Sequence, residues 1–274
     1  MMREKSARML PVLAALSLAT MSNTNANADM LQVNIENTQS SGQFFFTPFW
    51  IAAHNGQFDS YNGGELAPAF LTPLAELGST AEISDAFSMS PASGGAQATV
   101  TAVSGMGDAP VFSPGESTTF ALDVSNPSQN RYFSYASMVI PSNDLFVANG
   151  DPTAHQVFDN NGDFAGPVVI EIYGQDVNDN GSEVNDAFGG AAFSANGGAS
   201  VDEAVVIRDL FSDGGDAAYL SSFVNTQTAN GATIGGTFGP SNLIARITIT
   251  PEPASALLLG IGGAMILRRR KKTT

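Results

Sequence analysis

The chain of 274 residues contains no cysteine. That excludes disulfide cross-links, thiolate metal ligands and a cysteine nucleophile. Positive charge is scarce over most of the length. Of 11 lysines and arginines, three lie at the start and five at the end, so residues 29–250 keep only Arg131, Arg208 and Arg246. Against these three cations stand 24 carboxylates, a formal charge of −21. Such a surface repels nucleic acid and anionic membranes, so neither is an expected partner. Divalent cations are its natural counter-charge, although acidity also serves plain solubility. Histidine is limited to His54 and His155, and no Gly-x-Ser-x-Gly elbow occurs. Covalent hydrolysis therefore lacks a recognisable nucleophile with a positioned base. With 24 carboxylates, a pair at glycosidase spacing of about 5–10 Å arises by number alone and distinguishes nothing.

Long apolar runs occur at the two ends. Arg3, Lys5 and Arg8 precede an apolar stretch from Met9 to Met21, and Ala26-Asn27-Ala28 has the small-x-small pattern of a signal-peptide cleavage site. Cleavage after Ala28 is expected, with residues 1–28 as signal peptide. At the other end Pro251-Glu252-Pro253 is followed by an uncharged run from Ala254 to Leu267 and then by Arg268-Arg269-Arg270-Lys271-Lys272. The 14-residue run is about 21 Å long as a helix at about 1.5 Å per residue, short of a roughly 30 Å hydrocarbon core. It suits a transient anchor in the inner membrane. The adjacent cations are expected to stay cytoplasmic and leave the bulk of the chain outside. This tripartite tail resembles the PEP-CTERM sorting signal of Gram-negative bacteria. The resemblance implies an exosortase-type membrane protease as partner, with processing near Pro251, Glu252 and Pro253, and export to the cell surface or beyond.

Between the ends, residues 29–250 read as a single all-β domain. Leu31–Ile35, Thr118–Val124 and Leu243–Thr250 alternate apolar and polar residues, as strands with one buried face do. Tyr132–Ile140 and Val168–Tyr173 are more continuously apolar or β-branched, which predicts central strands covered on both sides. Clusters of Gly, Asn, Asp and Pro separate them at close spacing, the turn chemistry of a sandwich or barrel. Only Leu66–Leu77 looks helical, with an apolar face of Leu66, Phe70, Leu74 and Leu77. The aromatic group Phe44, Phe45, Phe46, Phe49 and Trp50 suits a core strand better than a sugar-stacking surface, and His54 at its end suits a structural role. Asp159–Asp163 has the composition of a hairpin turn.

An ordered set of motifs resembles the spondin N-terminal domain of extracellular-matrix and bacterial exported proteins. It runs through Phe46-Thr47-Pro48-Phe49-Trp50, Ala52-Ala53-His54, Leu74-Ala75-Glu76-Leu77-Gly78, Arg131 to Asp144, Asp179-Asn180-Gly181-Ser182-Glu183 and Ile244-Ala245-Arg246-Ile247. The resemblance implies a two-sheet antiparallel β-sandwich of the calcium- and lipid-binding type, with a calcium site at one end. Leu145 replaces the aromatic residue that follows the matched aspartate in animal members, and their cysteines are absent.

Calcium takes six to eight oxygen ligands brought together by turns. Asp176–Asp186 supplies four carboxylates, Asp176, Asp179, Glu183 and Asp186. Read as an EF-hand loop, the segment fails at position twelve, where Ala187 stands in place of a bidentate glutamate. An inter-strand loop fits better. The family resemblance places Asp144 near Asp179 and Glu183 as first ligands, with Asp176 and Asp186 as secondary ones. The expected function is that of an exported, non-catalytic surface or matrix protein acting in adhesion or exopolysaccharide association. A secreted carboxylate-dependent polysaccharide hydrolase is the alternative.

Overall fold

A computed structural model describes residues 29–105 and 110–252. The expected cleavage site at Ala26 and Ala28, and the tail from Pro253 through Arg268, Arg269 and Arg270, lie outside the described residues. Strands β1 (Met30–Asn37), β5 (Ser117–Asp123), β8 (Val168–Tyr173) and β11 (Leu243–Pro251) form one antiparallel sheet in the order β5-β1-β11-β8. The second sheet takes β3 (Phe49–His54), β4 (Ala96–Val100), β6 (Tyr132–Ile140), β7 (Leu145–Ala148), β9 (Val177–Asp179) and β10 (Arg208–Asp209), in the order β10-β9-β7-β6-β3-β4. The short β2 (Phe45–Phe46) pairs with β6. The fold is an all-β two-sheet sandwich.

Its main core lies between the sheets. Leu31, Val33 and Ile35 of β1 and Ile247 and Ile249 of β11 share one buried cluster with Phe49, Ile51, Phe133, Leu145 and Val147 of the opposite sheet. Each set recurs at every second position, as the pleat requires. The outer face of the larger sheet carries a second cluster. Trp50, Ala52, Ala136 and Phe146 pack there under helices α1 (Thr72–Leu77) and α2 (Ala81–Met89), through Leu74, Ala75, Ile83 and Phe87. Strands β3, β6 and β7 are thus covered on both faces, which is why they read as continuous apolar runs. Phe44, Phe45, Phe46, Phe49 and Trp50 are all buried core.

Three readings of the sequence change. Val168–Tyr173 is an edge strand, and Val169 on its outer face is 55% exposed; β-branched residues favour a pleated edge without needing cover. The helix expected over Leu66–Leu77 begins only at Thr72, because a proline in the first turn starts a helix and does not continue one. It ends at Gly78, whose φ of 67° closes the C-terminus. Leu66 and Leu77 are exposed. Helix α2 is a second helix beyond the one the sequence pattern predicts, although Ser79-x-x-Glu82 is a start signal, with Ser79 Oγ donating to Glu82 Oε2 at 2.7 Å. Among the described residues no helix is long and apolar enough to cross a membrane. Pro251, first residue of the Pro-Glu-Pro motif, closes β11 opposite Leu31, and the Glu252 N–H donates to Met30 O.

Candidate metal centre

Asp144 lies in the turn between β6 and β7, and Asp179 ends β9. The two strands pair so that Leu145 stands opposite Asp179, which brings two carboxylates 35 positions apart to one end of the sandwich. Both side chains are fully buried. Neighbouring polar groups fix the turn: the Asn143 N–H donates to the Tyr219 hydroxyl at 3.1 Å, and Asn143 Nδ2 donates to Val184 O at 2.6 Å. Tyr219 opens the short helix α3 (Tyr219–Ser222). Helix α1 reaches the same loop through Thr72 Oγ1, 3.3 Å from Asn180 Nδ2.

The two carboxylates have different partners. Asp179 is compensated on both oxygens, with Oδ1 accepting the Gly181 N–H at 2.8 Å and Oδ2 accepting from Asn185 Nδ2 at 3.0 Å and from the Arg208 guanidinium at 3.1 Å. Arg208 extends to Glu203 at 3.6 Å. Asp144 Oδ2 accepts the Ser182 and Glu183 N–H groups at 3.0 and 3.1 Å, while its Oδ1 is buried without a hydrogen-bond partner. Burial, and next the charge of Asp179, push the Asp144 carboxyl up to about 7, against the pull of the two backbone donors. Two further buried oxygens of the same loop, Asn180 Oδ1 and Asn185 Oδ1, also lack a donor. The amide of Asn185 is oriented by its Nδ2 contact to a carboxylate, so its oxygen is the atom left over.

The other expected ligands are used differently. Glu183 is partly exposed, and its carboxyl is raised by burial against the pull of a Ser200 hydrogen bond. Asp186 Oδ1 accepts the Phe188 N–H at 2.9 Å in a local turn. Asp176 caps a 3-10 turn (Gly174–Asp176) at the opposite end of β9, with Oδ2 accepting the Tyr173 N–H at 2.7 Å. Among the described residues no three of Asp, Glu and His converge with metal-ligand spacing. What the structure offers instead is three separate buried oxygens without a donor, one carboxylate oxygen on the β6–β7 turn and two amide oxygens on the loop that Gly181 opens. That residue has φ 69°, and a Cβ there would meet Val205 O at 2.6 Å. Gly181→Ala is therefore expected to destabilise the fold by about 1–3 kcal/mol, read as a lowered urea midpoint; an unchanged midpoint would show that the loop relaxes freely.

His54 is satisfied within the fold. His54 Nδ1 accepts the Gly56 N–H at 3.0 Å, which leaves its proton on Nε2, 2.8 Å from Ser134 Oγ. Burial lowers its pKa to about 4. In this tautomer the ring donates to the serine and has no lone pair with which to take its proton, so the contact is not that of a nucleophile and its base. Asp159 closes a tight turn by accepting the Asn161 and Asp163 N–H groups at 2.8 and 3.0 Å. No protein-family model matches the chain, and no curated protein is significantly similar to it.

Proposed function

We propose that this protein is an exported, non-catalytic component of a cell surface or extracellular matrix, of the spondin N-terminal type, which associates with exopolysaccharide or matrix proteins and carries a calcium ion at one end of its sandwich. The observation that carries the calcium reading is the trio of buried, donorless oxygens, Asp144 Oδ1, Asn180 Oδ1 and Asn185 Oδ1. A buried acceptor without a donor costs about 1–3 kcal/mol, and these three, on the β6–β7 turn and the loop after β9, are oxygens of the kind a hard, oxygen-loving cation satisfies. Asp144 is the one anionic ligand of that set, and Asp179 and Glu183 supply charge around it. The leader and the PEP-CTERM-like tail support export and sorting by an exosortase-type protease. The Ser134–His54 geometry and the compensated state of Asp179 favour binding over turnover.

Thermal unfolding of the full chain in calcium, in magnesium and in excess chelator tests the site. A ligand at 100-fold excess over its Kd stabilises by about 2.7 kcal/mol, and about 2–4 °C per kcal/mol is usual at this size. Calcium is therefore expected to raise the midpoint by about 5–10 °C and magnesium by much less. Equal response to both ions, or to neither, would overturn the calcium assignment. A glycan screen addresses the other half: binding without release of new reducing ends fits association, whereas turnover would establish the hydrolase.

A further inference from the structure

At the opposite end of β9 a cavity of about 570 Å³ opens along the margin of the larger sheet, where β7 ends and the 3-10 turn leads into β9. Its volume falls within the range of about 300–1,000 Å³ usual for small-molecule sites. Both sheets contribute walls, Ile170 and Glu171 from β8 and Tyr135, Ala148 and Asn178 from the larger sheet. Four carboxylates line it, those of Asp151, Glu171, Asp176 and Asp209, and no lysine or arginine does. Glu171 is neutralised from outside by Arg246 at 3.5 Å. Asp209 has no such partner: its backbone O accepts from Ser212, but no side-chain hydrogen bond or ion pair engages its carboxylate among the described residues. One polar group on the floor has no protein partner. Tyr135 is only 5% exposed and lines the cavity, its hydroxyl makes no hydrogen bond among the described residues, and that hydroxyl is not sealed from solvent, so it opens into the cavity. Its ring is tilted against the His155 imidazole, centroids 6.1 Å apart. The Tyr61 hydroxyl is held by Asn178 Nδ2 at 3.1 Å, which leaves the Asn178 side-chain oxygen to accept from a ligand.

We propose that this cleft binds a de-N-acetylated amino-sugar unit of a polysaccharide, with its ammonium group on the carboxylates of Asp209 and Asp176, its hydroxyls on the Tyr135 hydroxyl and Asn178 Oδ1, and a ring face toward Tyr61. The acidic lining with no cation excludes uronic and sulfated sugars and selects a positively charged one. Aromatic faces and neutral amide acceptors favour a hydroxylated ring over a bare alkylamine. The assignment rests on the surface-association reading and names its ligand class; it does not depend on calcium at the far end of β9.

Calorimetric titration of the full chain with a glucosamine tetramer, its fully N-acetylated counterpart and spermidine tests it, with Asp209→Asn and Tyr135→Phe as variants. The glucosamine tetramer is expected to bind at least about tenfold more tightly than either comparison ligand. Each variant is expected to lose about tenfold, the scale of one charge-assisted hydrogen bond, with an unchanged thermal midpoint. If Tyr135→Phe unfolds, Gln175→Ala on the exposed rim takes its place, with a smaller loss of at least twofold expected. Equal affinity for the acetylated tetramer, or spermidine binding as tightly, overturns the amino-sugar assignment. Glycan binding that survives Asp209→Asn, or failure to bind either tetramer, overturns the cleft while the surface-association reading stands, which the glycan screen tests separately.

Discussion

In chelator at pH 8, Asp144→Asn will unfold at a higher temperature than the natural chain, and the calcium response will be gone. The Asp144 carboxyl is pushed from an ordinary 3.8 up to about 7, by burial first and by the Asp179 charge second. The folded state therefore holds this proton more tightly than the unfolded chain does. That contribution is complete below the ordinary value, declines as pH rises from about 4 to about 7, and is absent above. At 1.36 kcal/mol per pKa unit the effect is at most about 4 kcal/mol. Asparagine keeps an oxygen for the Ser182 and Glu183 N–H groups and replaces the anionic oxygen with a donor group, in a loop where Asn180 and Asn185 have oxygens to spare. The natural chain should lose stability between pH 4 and 7 relative to the variant, and calcium should restore it at pH 8 by taking the proton's place. Urea unfolding across that range, with and without calcium, is the measurement. A variant less stable than the natural chain at pH 8 in chelator would mean that Asp144 is already neutralised.

Removing Arg208 should have the opposite effect and destabilise the fold. Its guanidinium lies 3.1 Å from the fully buried Asp179 Oδ2, and Arg208→Met leaves that carboxylate with only the Gly181 N–H and the Asn185 amide. Breaking a buried pair by deleting one partner costs about 3–5 kcal/mol. Arg208 is itself 34% exposed, so solvent screening reduces the expected loss to about 2–3 kcal/mol. Chemical denaturation in chelator reads this directly. Calcium should recover more stability in Arg208→Met than in the natural chain, because two uncompensated carboxylates then face the loop. A loss below about 0.5 kcal/mol would show that the backbone and amide donors suffice for Asp179.

The contrast between these two carboxylates marks the limit of sequence reading here. Only the family resemblance groups Asp144 with Asp179 and Glu183 in the sequence, and strand pairing brings Asp144 and Asp179 to one end of the sandwich. Their different fates depend on groups far away in the chain. Arg208 stands beside Asp179 only because β10 pairs with β9 in the register Arg208 opposite Asp179. The donorless oxygens of Asn180 and Asn185 were within the segment considered, but an asparagine in a loop reads as turn chemistry until its neighbours are placed. Asp176 looked like part of the same cluster. The three-residue strand β9 carries it to the other end, where it borders the amino-sugar cleft with residues from Tyr61 to Asp209.

Local residue patterns account for part of this fold. Alternation in β1, β5 and β11 made one face of each strand apolar, which required a sheet with a buried side. The absence of lysine between residues 29 and 250 fixed an acidic surface whatever the fold, and the order of motifs at each end marked the segments expected to direct export and sorting. Long-range packing makes β8 an edge, lays α2 over Trp50, gives Asp179 a cation within the fold and Asp144 none, and forms an aromatic, acidic cleft where two sheets meet. Strand pairing sets each of these. A one-residue change in register turns a side chain to the other face, so the partners of a buried polar atom follow from contacts between distant segments and not from its neighbours in the chain.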